Sequence, residues 1–300
     1  MLQPFFEKNR DLLVNINGEL IHRDQAGVSP FDSSVQNGDA VWEGLRLYNG
    51  RIFKLMEHLD RLRDSAKALA YPQIPSHGVI IAELRRTLAA NQMTDNVHVR
   101  LTLSRGVKYT SGMDPRINNA GPTLIILAEH KPPVYDKSGL RLITSGIRRI
   151  PADCLDQNIH SCNMLNSILA KIQANVAGAD DAIMLDIDGF VAETNATHLF
   201  FVKAGGVTTS HAHACPEGIT RATVLDLCRA HAIPHEVKNI TYSEMFRADE
   251  IFCTGTMGEL APVVEVDGRV IGEGGLGAMT ARLSRLYGEL TASQGVEMGV

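Results

Sequence analysis

Four stretches of this 300-residue chain carry groups that could do chemistry together. In QNIHSCNMLNSILAK (157–171), His160 stands just ahead of a helical pattern. An imidazole, with an ordinary pKa of about 6.5, takes and gives protons near neutral pH. DGFVAETNATHLFFVK (188–203) offers the carboxylate of Glu193. CPEGITRATVLDL (215–227) places Gly218, Ile219 and Thr220 at the opening of a helix. Unpaired backbone N–H groups, a hydroxyl and the positive end of a helix dipole would converge there on an anion. FCTGTMGELAP (252–262) leaves a short strand through Thr256, Met257 and Gly258, a second turn rich in accessible amides.

Each of these has a plainer structural reading. A Gly-Ile-Thr start can be only a capped helix, and Glu193 can be a surface residue after a hairpin. Arg61, in EHLDRL, suits bidentate binding of a phosphate, or an i,i+4 ion pair with Glu57 on a solvated helix face. Arg100 and Arg105, in VRLTLSRGV, could meet a substrate carboxylate or simply be solvated at a strand end. His211, His213 and Cys215 alternate as metal ligands would, and His160 could complete a set of four. The first expectation is nonetheless that no metal is bound.

The elements that must position these groups are mixed. Asn-Gly in LLVNINGELIHR (12–23) and in VWEGLRLYNGRIFKL (41–55) predicts two hairpins. In residues 56–70, Met56, Leu59, Leu62, Ala66 and Leu69 fall on one helical face, and 79–91 behaves similarly. Strands are expected at 97–104 and 122–129, and the long loop between them is a candidate part of a site. HKPPVYDKSG (130–139) reads as a linker. After it come strands at 140–145, 182–187 and 197–203, helices at about 163–177, 219–231 and 276–290, strands near 235–238 and 250–253, and a hairpin through Asp267-Gly268. The alternation lacks the regular parallel repeat of a doubly wound sheet. The expected fold class is therefore α+β in two domains, 1–129 and 140–300, joined by 130–139.

Composition narrows the class further. The chain is 44% apolar and 21% charged, as soluble globular proteins are. A net charge of −5 gives no reason to expect nucleic acid or an anionic membrane as partner. Five irregularly spaced cysteines suit free thiols in a reducing compartment. No run approaches 18 apolar residues and no signal-peptide pattern opens the chain, so a cytoplasmic location is expected.

Taken in order, VWEGLRLYNG, EHLDRL, NMLNSILAK, DGFVAETNATHLF, GITRATVLDL and CTGTMGELAPVVEVDGR resemble the class IV aminotransferases, the pyridoxal-phosphate enzymes of fold type IV. The resemblance runs from about residue 14 to about 285 and is nearest to branched-chain members in the last segment. It implies a small α/β domain, a large pseudo-barrel domain carrying the cofactor, and a homodimer or larger homo-oligomer. By the same resemblance Arg61, Gly218, Ile219, Thr220 and Thr256 bind the cofactor phosphate, and Glu193 binds the pyridine nitrogen. Trp42, Arg100, Arg105, Met257 and Gly258 are weaker candidates for substrate contacts.

In two respects the chain departs from the family pattern. Relatives of this spacing carry the cofactor lysine three residues before the asparagine that is Asn163 here, which makes the position His160. Met164 stands where branched-chain members commonly carry a tyrosine. No lysine lies between Lys137 and Lys171. The resemblance then implies an enzyme acting on an amino acid or 2-oxo acid with pyridoxal or pyridoxamine phosphate held non-covalently, and with His160 as acid/base. The alternative is a lysine-less scaffold that no longer uses the cofactor and binds a phosphorylated or carboxylated ligand, or a metal.

Overall fold

Three turn dipeptides set hairpin registers in the computed structural model, which describes residues 3–299. Asn17-Gly18, Asn49-Gly50 and Asp267-Gly268 all adopt positive φ at both positions. That is the twist a two-residue hairpin needs. All three hairpins expected from the sequence are present.

The chain divides into two units. The first contains β1 (Leu13–Ile16), β2 (Glu19–His22), α1 (Ser33–Asn37), β3 (Ala40–Tyr48), β4 (Arg51–Ile52), α2 (Leu55–Ala68), α3 (His77–Ala90), β5 (Val97–Ser104) and β6 (Thr123–His130). Its antiparallel sheet centres on β3, β5 and β6. Val41, Leu45 and Leu47 of β3 pack with Leu55, Leu59 and Leu62 of α2 and Leu84 and Leu88 of α3. Each fully buried leucine contributes about 1.5–3 kcal/mol. Leu55 rather than Met56 begins the buried face of α2, and Met56 is exposed.

The second unit contains β7 (Leu140–Thr144), α4 (Ala152–Leu155), α5 (Leu165–Val176), β8 (Asp181–Leu185), β9 (Val191–Thr194), β10 (His198–Lys203), β11 (Gly206–Thr209), α6 (Ile219–Ala230), β12 (His235–Val237), α7 (Tyr242–Met245), β13 (Glu250–Gly255), β14 (Glu259–Val266), β15 (Arg269–Val270) and most of α8 (Ala278–Ser293). Its sheet runs β12-β11-β10-β13-β14-β7-β8-β9, with β15 on β14. Parallel pairings join β14 to β7, β7 to β8 and β11 to β12, and the others are antiparallel.

The first unit runs on to Pro132 and regains Ile159–Asn163 and the chain from Thr291 onward. The last strand, β16 (Val296–Glu297), pairs antiparallel with β4. Ile159–Asn163 lies along β3 where β4 is too short to cover that edge: Trp42 N–H donates to the His160 carbonyl at 3.0 Å and Cys162 N–H to the Ala40 carbonyl at 2.8 Å. Unpaired strand edges recruit backbone wherever the chain can supply it, and linear composition does not reveal such returns. No helix among the described residues is long and apolar enough to cross a membrane. All five cysteines are free thiols.

Candidate active site

The groups singled out above gather in two places, one in each unit. In the first unit β3 alternates faces, as every strand must. Glu43 lies on the side of Leu45 and Leu47, is 0% exposed and meets α2. Arg61 donates from Nε to Oε1 and from Nη2 to Oε2, both at 2.7 Å, and His58 Nδ1 lies 2.6 Å from Oε2. Arg61 and His58 are three apart on α2 and therefore neighbours on one helix face. Burial raises the Glu43 carboxyl, but the attraction of Arg61 and His160 outweighs it and holds the group well below the usual carboxylate range. The ion pair proposed between Arg61 and Glu57 does not form, because Glu57 pairs with Lys54 at 2.7 Å.

His160 belongs to this same cluster, in the unit of Glu43. Its ring stacks on Trp42, with centroids 4.3 Å apart and planes inclined by 26°. Its Nδ1 lies 2.5 Å from the Trp42 carbonyl and 3.4 Å from Glu43 Oε1. Burial lowers the proton affinity of the imidazole below the usual histidine range, against the upward pull of Glu43. Trp42 in turn donates from Nε1 to the Ser161 carbonyl at 3.0 Å, and the Arg100 guanidinium sits 3.5 Å over its ring.

The opposite face of β3 carries Trp42, Gly44 and Arg46, whose register partners on β5 are Thr102, Arg100 and His98. Arg46 is 1% exposed, and none of its three guanidinium nitrogens finds a hydrogen-bond partner. His98 Nε2 is likewise buried and unpartnered, and burial with nearby Lys131, Arg46 and Arg100 pushes this imidazole down to about 3. Buried donors are nearly always satisfied, so Arg46 and Arg100 make a face suited to an anion. Arg46 escaped the sequence reading, although an arginine between leucines in an apolar strand was a signal. Arg105 is not available in the same way. It is buried, pairs with Asp39 at 2.6 Å and donates to the carbonyls of Leu69 and Ala70.

In the second unit Glu193, on β9, is buried beside Arg149, whose Nη2 lies 2.9 Å from Oε1. Arg149 also donates to the Ala214 carbonyl, Ser167 Oγ and Gln157 Oε1. Burial pushes the Glu193 carboxyl up to about 7 against the pull of Arg149. It is therefore an internal acid, and not a surface residue after a hairpin. Arg149 carries no motif and was not anticipated.

α6 starts from Gly218 with no side-chain cap, so its first amides keep the capacity of an open helix start. A Cβ at Gly218 would stand 2.3 Å from the His198 ring, so only glycine allows the imidazole to lie against this turn. Thr220 is buried, Ser210 Oγ and Arg221 Nε near it are buried without partners, and Arg221 Nη2 donates to the Ser210 carbonyl. α6 packs on β13, after which come half-buried Thr256 and Met257. Gly258 closes this turn against Tyr135, whose ring a Cβ would strike at 2.1 Å. These donors fit a phosphate.

The anticipated His211, His213, Cys215 and His160 set is not assembled. His211 and His213 stack on each other, and Cys215 turns toward His198 Nδ1 at 3.9 Å. With Glu193 these two form the one cluster of buried ligand atoms among the described residues, all within 4.8 Å of one another. Lys171, the nearest later lysine, is held by Asp181 at 3.0 Å and by the Asp180 carbonyl.

Known proteins match this chain along nearly all of its length. The family described as amino-transferase class IV matches residues 40–266. Branched-chain-amino-acid aminotransferase-like protein 2 of Arabidopsis thaliana is 55% identical over 96% of this chain, which spans 52% of that relative, about half its length. The branched-chain-amino-acid aminotransferase of Pseudomonas aeruginosa is 33% identical, with 95% of each chain covered. Among solved structures, the branched-chain amino acid aminotransferase from Thermobaculum terrenum in its PLP form superimposes with a TM-score of 0.84 at 26% identity, covering 95% of each chain. The fold is thus that of the fold type IV branched-chain aminotransferases, and the chain belongs to the class IV aminotransferases.

Proposed function

We propose that the chain acts on an amino acid or 2-oxo acid of the branched-chain type, using pyridoxal or pyridoxamine phosphate held without a covalent bond. One observation carries this reading. The amines that flank the stretch without lysine are already committed: Lys137 to the carbonyls of Gly258 and Leu260, and Lys171 to Asp181. His160 stands where the family resemblance puts the reactive amine. When bound, the cofactor supplies an electron-accepting ring and an aldehyde or amine carbon. Ile219, Thr220 and Thr256 hold its phosphate. Glu193 takes the pyridine nitrogen, where it keeps a proton in place. Arg46 and Arg100 receive a substrate carboxylate, and His160 moves the proton at the substrate carbon.

The partner that fits is a second copy of the chain. On α5, Leu165, Ile168, Leu169, Ile172 and Val176 form one helix face, and each is at least 50% exposed. Such a stripe marks a protein interface. A second reading, metal binding by a scaffold that has abandoned the cofactor, rests on Glu193, His198 and Cys215.

Protein as purified should contain pyridoxal or pyridoxamine phosphate near one per chain, no stoichiometric metal, and no pyridoxyl adduct after borohydride. His160→Lys should gain such an adduct and transaminate a 2-oxo acid faster than the wild type. One pyridoxyl-lysine per wild-type chain would overturn the non-covalent reading, and stoichiometric metal without cofactor would establish the second.

A further inference from the structure

We propose that Glu43 is the positioning residue for His160: beside the Trp42 carbonyl, which sets the Nδ1–H tautomer, it holds the ring and stabilises it once Nε2 has accepted the proton. This rests on the reading of His160 as the acid/base. A carbonyl oxygen only accepts hydrogen bonds, so the 2.5 Å contact between the Trp42 carbonyl and Nδ1 requires the proton on Nδ1. A neutral imidazole has one N–H, which leaves the lone pair on Nε2. Glu43 Oε1, 3.4 Å from the same nitrogen, adds a second acceptor that strengthens as the ring becomes positive. Carboxylates that orient the far nitrogen of a histidine base do the same elsewhere.

The ring has little freedom to choose otherwise. The His160 backbone N–H donates to Ser65 Oγ at 3.0 Å and its carbonyl accepts from Trp42 at 3.0 Å. Its face lies on Trp42, which Arg100 and the Ser161 carbonyl hold from the other side and the edge. The side chain is 14% exposed. The charged groups that act on the ring are Glu43 from β3 and Arg61 from α2; His58 meets the same carboxylate, and Arg100 lies over Trp42 and meets Cys162. Glu43 is the one anion among them. With the cofactor bound, its ring would supply the electron sink, and His160 Nε2 would take the proton released at the substrate carbon. Returning the proton from Nε2 reverses the account.

Side-chain 15N shifts of full-length protein labelled at histidine, with the His160 signals assigned by their loss in His160→Gln, read the tautomer without substrate. The expected wild-type pattern at pH 8 is a protonated Nδ1 and an unprotonated Nε2. In Glu43→Gln the midpoint for protonating Nε2 should fall by about one pH unit or more, and the acid limb of the pyridoxamine half-reaction should move with it. Glu43→Asp, which keeps the charge but withdraws it, should move both less. A residue that only anchors Arg61 and His58 would change cofactor affinity and stability without moving the tautomer or the midpoint. If Glu43→Gln does not fold, the midpoint in Glu43→Asp decides. A wild-type proton on Nε2, or an unmoved midpoint in a folded variant, overturns the proposal. A wild type with the expected tautomer and no half-reaction would instead remove the proposed function and leave the tautomer standing.

Discussion

Replacing Arg149 with methionine asks how the protein keeps an acid inside. Arg149 lies 2.9 Å from Glu193 Oε1, and both side chains are less than a tenth exposed. At an effective dielectric of about 20, charges that close attract by about 6 kcal/mol. Desolvation takes back part of this, and removing one partner of a buried pair costs about 3–5 kcal/mol. Methionine fills much of the volume but also leaves the Ala214 carbonyl, Ser167 Oγ and Gln157 Oε1 without their donor. The melting temperature should fall by roughly 6–20 °C. The loss should also depend on pH, with a definite sign. Burial already raises Glu193 to about 7 with Arg149 in place, so its removal raises the group further. An unfolded glutamate titrates near 4.3. Between that value and the folded pKa the folded state binds the extra proton, so stability falls as pH rises, by at most about 1.4 kcal/mol per pH unit. The wild type loses this slope once the pH passes about 7, and the variant, whose folded pKa is higher, keeps it further up. The penalty of the substitution should therefore grow between pH 6 and pH 8, by at most about 1.4 kcal/mol per pH unit. Calorimetry of the apo-protein at pH 6, 7 and 8 reads it, with Arg149→Met/Glu193→Gln as the control that should be flat in pH and more stable than the single variant. An equal loss at pH 6 and pH 8, or a double variant no better than the single, would refute the argument.

Two further outcomes follow from the same contacts. Arg61→Ala should weaken binding of both pyridoxal and pyridoxamine phosphate by about 2–4 kcal/mol in a spectroscopic titration; because Glu43 then loses its bidentate partner while fully buried, the apo-protein should also lose about 3–5 kcal/mol of stability. An arginine on a solvated helix face would change neither. Ile168→Glu with Ile172→Glu should convert a homodimer to monomer in light scattering, because both side chains are half exposed on the α5 stripe; an unchanged mass would place the interface elsewhere.

What was legible in the sequence was local. Asn-Gly and Asp-Gly turns, the periodicity of α2 and the glycine before α6 each act within a few residues of themselves, and each stands where expected save Met56, which α2 exposes. The partners of the candidate groups act over long separations instead. Glu43 meets Arg61 at 18 residues' distance and His160 meets the Trp42 carbonyl at 118. No pattern in QNIHSCN announces that its backbone will add to the free edge of β3, because that edge exists only once β4 has stopped short. Arg46 is the instructive case between these extremes. Strand alternation alone puts it on the face of Trp42 and Gly44, opposite the core side that holds Glu43. A strand whose two faces bury a paired carboxylate and an unpaired guanidinium is not arranged for stability, since both desolvate charge that leucine would avoid. The carboxylate has its counter-ions within the chain, so its work is internal: to hold α2 and His160. The guanidinium has no hydrogen-bond partner and lies only over the Tyr48 ring, which is the ground for proposing that it meets an anion from outside. Of the two arginines offered by VRLTLSRGV, the same reasoning keeps Arg100 with Arg46 and removes Arg105, whose charge Asp39 already answers.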